Sequence, residues 1–95
     1  MAEDSKLAVQ HLTDIMVPAL KKRKEERVEL DRETKNYWNK LKKRLPEDAM
    51  IPFEENPEDE AAQSKFKEVL EQYVDRYQNV KMSTAIFLVN KGVEL

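Results

Sequence analysis

Ninety-five residues leave room for one small domain, and the absence of cysteine excludes disulfide stapling and thiolate metal sites. Charged residues make up 38% of the chain and apolar ones 40%, with a single glycine, Gly92, a composition that disfavours tight-turn folds and favours helix. The net charge of −2 is unevenly placed: residues 1–45 carry 12 basic and 8 acidic side chains, residues 46–95 carry 5 and 11, so the two halves would attract each other if folded side by side.

Asp4 or Ser5 can cap a first helix over about residues 4–17, with Leu7, Ala8, Leu12, Ile15 and Ala19 as its apolar stripe and Val9, Met16 and Leu20 on the flank. Pro18 either breaks or kinks the chain, and a second helix is expected from about 18 to 45. The run Lys21-Lys22-Arg23-Lys24-Glu25-Glu26-Arg27 has no apolar face, while Leu30, Thr34, Tyr37, Trp38, Leu41 and Leu45 restore a stripe at steps of three and four. Pro46 ends that helix. Residues 46–56 read as a loop, with Met50, Ile51 and Phe53 folding back over the helices.

Asn56 as N-cap and Pro57 at the first helical position predict a last helix over about 57–91, with Gly92 as its stop signal. Its seam runs Phe66, Leu70, Tyr73, Tyr77, Val80, Thr84 and Phe87, a heptad pattern. The expected architecture is all-α, a single domain over 1–95: an antiparallel, coiled-coil-like helical hairpin folded at the loop. In that register the charged run faces Asp75 to Lys81, and the N-terminal helix faces Met82 to Leu95.

The end distant from the loop then carries more apolar surface than two helices can share. Val9, Leu12, Met16 and Leu20 on one helix and Ile86, Phe87 and Leu88 on the other are the expected protein-binding residues, for self-association or for helical subunits that complete a bundle. The basic residues Lys21, Lys22, Arg23 and Lys24, with Lys40, Lys42, Lys43 and Arg44, offer an alternative as an import signal or a nucleic-acid face; the simpler reading is a solvated surface. His11 with Asp14 lacks further ligands for a metal, and Glu54, Glu55, Glu58, Asp59 and Glu60 lack the order of a calcium loop. Tyr73 and Tyr77 sit on the seam, and Tyr37 and Trp38 cannot both face one partner.

No catalytic constellation, cofactor motif or small-molecule site is found. No apolar run approaches the roughly 20 residues that span a bilayer, and the acidic start is unlike a signal peptide. The expected protein is a non-enzymatic structural or adaptor subunit, intracellular and cytoplasmic (nuclear on the alternative reading).

Overall fold

The computed structural model describes residues 2–94. Five helices account for most of them: α1 (Ala2–Glu26), α2 (Arg32–Arg44), α3 (Glu47–Glu55), α4 (Glu60–Arg76) and α5 (Gln78–Asn90). The all-helical expectation holds. The two-helix outline does not, because each expected long helix is broken once and the expected loop is itself helical.

A straight helix over 57–91 would be about 50 Å long, yet the longest dimension of the whole chain is 37 Å. Its radius of gyration, 12.3 Å, is that of a compact chain of this length, about 12 Å.

α1 starts at Ala2, ahead of the expected caps Asp4 and Ser5, and runs through Pro18 without a break. The ring of Pro18 is exposed, so the carbonyl that loses its helical partner lies on the solvent side. The buried face is Ser5, Val9, Leu12, Thr13, Met16 and Leu20. The expected stripe is therefore rotated: Leu7 stands 52% exposed, while Ala8, Ile15 and Ala19 are only partly covered. Two hydroxyls make the rotation tolerable. Thr13 donates to the Val9 carbonyl at 2.7 Å, and Ser5 is hydrogen-bonded to the Asp75 carboxylate. Small hydroxyl side chains can enter a core when their hydrogen bonds are satisfied.

The chain leaves α1 through Arg27, which holds a left-handed φ of 56°. Asp31 then restarts the helix. Its carboxylate accepts the Thr34 amide at 2.8 Å, an N-cap that the continuous apolar stripe conceals in the sequence. Lys42, Lys43 and Arg44 close α2 against the negative end of its dipole.

α3 replaces the expected loop. Pro46 is its N-cap, and Ala49, Met50 and Phe53 form its buried face, while Ile51 is 43% exposed. Asn56 caps the end of α3 rather than the start of α4; that start belongs to Asp59, whose carboxylate accepts the Ala62 amide at 2.9 Å. Pro57 is buried between them, its carbonyl held by the Gln63 side chain at 2.8 Å.

Tyr77 interrupts the expected last helix in an extended conformation. The flanking residues 75–79 are all exposed, so no packing holds the helix straight there. The bend lets α5 pack against α1 and α2 as well as α4. Beyond α5 the chain stops as predicted at Gly92: φ is +87°, the Gly92 amide bonds the Val89 carbonyl, and the Val93 amide bonds the Leu88 carbonyl, both at 3.0 Å. This is the paired closure of a Schellman ending, with Val93 packed onto the core.

Two antiparallel pairings build the bundle. α1 lies along α4, with Ser5 by Asp75, Gln10 by Lys67 and Lys21 by Glu58. α2 lies along α5, with Asp31 by Lys91 and Tyr37 by Thr84. The hairpin register is thereby overturned: the charged run of α1 faces the α3–α4 connection instead of residues 75–81, and α1 packs chiefly along α4 rather than along the segment from Met82 (Leu95 lies outside the described residues).

Aromatic rings join the helices, and Trp38 of α2 against Phe66 of α4 is the contact that ties the two pairs together. Phe53 stacks on Phe66 at 4.3 Å between centroids, and Trp38 leans on both. Tyr37 stacks on Phe87 at 4.4 Å, and burial pushes its phenol above the ordinary range despite the bond to Thr84.

The two left-handed positions give opposite expectations. Gly92→Ala should lower stability by about 1 kcal/mol, because a Cβ is disfavoured at that φ. Arg27→Gly should be neutral or raise it by up to about 1 kcal/mol. Urea titration followed by circular dichroism compares the signs directly.

Candidate docking surface

The sequence of α5, QNVKMSTAIFLVN, has large apolar residues on every side. One side is core: Val80, Thr84, Phe87 and Leu88 are all at most 3% exposed. Met82, Ile86 and Val89 recur at steps of four and three on the opposite side, at 53%, 57% and 58% exposure. They form an apolar crest on a helix that the chain buries only from behind.

Shallow grooves run along both sides of this crest. Toward α1, a groove of about 420 Å³ is lined by Leu7, Ala8, Val74, Thr84 and Ala85, with Asp4, Ser5 and Lys81 at its polar margin. Toward α2, one of about 230 Å³ lies between Glu33, Asn36, Tyr37 and Lys40 on one wall and Ser83, Ile86, Phe87 and Asn90 on the other.

Of the seven residues expected to meet a partner, Val9, Leu12, Met16, Leu20, Phe87 and Leu88 lie inside the chain's own core. The bends at Arg27 and Tyr77 let the chain cover what a straight hairpin would leave bare. Only Ile86 remains outside. Leu7, Met82 and Val89 are also exposed, but only Val89 belongs with Ile86 to the run 85–89, whose unbroken apolar circumference is the sequence signal; which part of it faces outward depends on the packing of α1 and α2.

The basic residues divide into two groups. Lys21 pairs with Glu58 at 3.2 Å and Arg23 with Glu54 at 3.5 Å, while Lys24 donates to the Glu55 carbonyl at 2.6 Å. Three residues of the first cluster therefore face the acidic end of α3 and its connection to α4, and Lys22 points to solvent. On α2, Lys42 is held by Glu54 at 3.1 Å. Arg32, Lys35, Lys40, Lys43 and Arg44 are exposed and make no ion pair among the described residues. Arg32 and Lys35 are new members of this face, brought to it by the start of α2 at Asp31.

Glu54 is the centre of the first group. Burial alone would raise its pKa, but the Trp38 indole N–H at 2.6 Å, Lys42 and the charge of Arg23 together hold it below the ordinary 4.5. Asp31, bonded by Lys91 at 2.6 Å and by the Thr34 amide, is pulled down to about 2. A carboxylate with a depressed pKa contributes stability above its ordinary value and loses it as acid protonates the folded form. The urea midpoint should therefore be level near neutrality and fall as the pH drops through 4.5. Glu54→Gln should cost about 1 kcal/mol at neutral pH and progressively less in acid.

His11 is partly covered, and no three His, Cys, Asp or Glu side chains converge to hold a metal ion among the described residues. Tyr73 and Tyr77 touch at 5.3 Å at the α4–α5 bend, with Tyr77 43% exposed rather than on a seam. Tyr37 and Trp38 both point inward but to different neighbours, α5 and the α3–α4 pair respectively. No described helix is long and apolar enough to cross a membrane. Comparison with protein families, with curated proteins and with solved structures finds no match to the chain.

Proposed function

We propose that this chain is a helical interaction protein, a structural or adaptor subunit that docks a helix of another polypeptide along α5. The observation that carries the reading is the crest of Met82, Ile86 and Val89, each more than half exposed on a helix whose other side is core. Covering one such side chain is worth about 1–2 kcal/mol when it begins half exposed. Three in line, extended by Leu7, are enough to anchor a helix in a groove.

The test compares the wild type with Ile86→Asp as bait for cross-linked partners from the native source, with a light-scattering mass for each. Specific capture by the wild type and its loss in the variant are expected. Equal capture by both would overturn the placement.

The second reading, a nucleic-acid-associated regulator, has the unpaired cations of α2 in its favour. It leaves the apolar crest in water. Binding that falls steeply with salt, through counterion release, and survives Ile86→Asp would establish it instead.

A further inference from the structure

The crest does not stand alone. The groove beside it joins Ile86 and Ser83 on α5 to Asn36 and Lys40 on α2, with Glu33 at the Asn90 end, so the apolar line and the Lys40 part of the cationic face of α2 are neighbours. Helical spacing places Arg32, Asn36, Asn39 and Lys43 on the outer face of α2, flanked by Lys35 and Lys40. Every one of them is exposed.

The charge there is lopsided. α2 and α5 together contain seven basic side chains, Arg32, Lys35, Lys40, Lys42, Lys43, Arg44 and Lys81, against one acidic, Glu33, in a chain whose net charge is −2. Lys42 alone among the seven has an ion-pair partner among the described residues. The acidic residues that balance the total are concentrated in the second half of the chain, and several already engage α1.

We infer that the partner docked on α5 is an acidic amphipathic helix, its apolar side on Met82, Ile86 and Val89 and its carboxylates toward Lys40 and Lys43. The inference rests on the docking reading above and adds the chemistry of the occupant. An acidic helix covers both features at once. Duplex DNA would use the cations and leave the crest wet. A second copy is disfavoured, since α5 contains no carboxylate and apposed copies would bring like charge together. Single-stranded nucleic acid would want exposed rings to stack on, and the two aromatics of α2, Tyr37 and Trp38, are buried.

The test selects binders for the whole chain from a displayed library of amphipathic helical peptides. A leucine seam is held fixed, and the flanking positions vary among Glu, Lys, Gln and Ser. Acidic flanks should dominate the selected peptides. A selected peptide, synthesised and labelled, should bind the wild type and lose more than about tenfold in affinity to Ile86→Asp. It should lose roughly tenfold to the double variant Lys40→Glu/Lys43→Glu, with circular dichroism confirming that both variants remain folded. Selected flanks that are neutral or basic, with binding still lost in Ile86→Asp, would overturn the acidic partner while leaving the docking surface standing. No binders, or binders indifferent to Ile86, would overturn both. Tighter binding of a duplex DNA probe than of the selected peptide, unaffected by Ile86→Ser, would replace the inference with nucleic acid, and a light-scattering dimer dissociated by Ile86→Asp would replace it with a second copy.

Discussion

Leu88→Asp should unfold the protein, whereas Ile86→Asp, two positions away on the same helix, should leave it folded. Leu88 is fully buried, packed within the core, and its carbonyl closes the Gly92 ending. An aspartate there would lose the packing of the leucine and place a carboxylate where water cannot reach it. A buried unpaired charge costs several kcal/mol, and a chain of this length has about 5–14 kcal/mol in total. Ile86 is 57% exposed, so its replacement removes little intramolecular contact, and a surface change of this kind is usually worth no more than about 0.5–1 kcal/mol. Circular dichroism melts of the two variants separate the cases. A stable Leu88→Asp, or an unfolded Ile86→Asp, would mean that α5 is rotated about its axis relative to the arrangement described above.

That contrast also shows what periodicity alone can resolve. The run 85–89 announces in sequence that α5 is apolar all round, but not which side the chain will cover. Residues 66, 70, 80, 84 and 87 of the predicted seam are all buried, so the stripe identified core positions well. Tyr77 on the same stripe is exposed, because a bend rather than a helix passes through it. Neither break contains glycine or proline. At Asp31 the capping signal was present in the residues, an aspartate with a free amide three positions on, yet the stripe from Leu30 to Leu45 reads through it. At Tyr77 even that signal is missing, since no side chain caps α5; the bend arises from long-range packing against α1 and α2.

Charge was more informative than register. The excess of basic residues in the first half and acidic residues in the second predicts attraction between them, and Lys21–Glu58, Arg23–Glu54 and Lys42–Glu54 are that attraction in place. The all-charged run 21–27 was expected to face the polar stretch near residue 78. It turns instead to the end of α3 and the α3–α4 connection, where Asp59 also caps the start of α4. Such pairs add little individually where they are exposed, as Lys21–Glu58 is. Their larger consequence is for the surface: they neutralise the first basic cluster and leave the uncompensated cations on α2, beside the apolar crest.

The second large effect should come from Phe66→Ala. Phe66 on α4 is fully buried, stacked face to face on Phe53 of α3 and tilted against Trp38 of α2 at 5.6 Å. It is thus the ring through which three helices meet. Truncating a buried phenylalanine costs about 3–5 kcal/mol, a shift of about 15–25 °C in Tm for a domain of this size. The loss should not fall evenly. α3 has nine residues, carries Pro52 inside it and lacks a side-chain cap, so it is held in place by the packing of Ala49, Met50 and Phe53, by the ties of Glu54 to Trp38, Arg23 and Lys42, and by the Lys24–Glu55 bond. Removing the Phe66 ring takes away the partner of Phe53 and loosens α3 before the α1–α4 and α2–α5 pairs separate. Trp38 is the only tryptophan and is 1% exposed, so its fluorescence reports this step without a label. In the variant, Trp38 emission should shift to the red at lower urea than the loss of helical circular dichroism. In the wild type the two transitions should coincide, as a cooperative domain requires. Coincident transitions in the variant as well, with a Tm loss below about 5 °C, would show that the aromatic cluster is not what fastens α3 to the bundle.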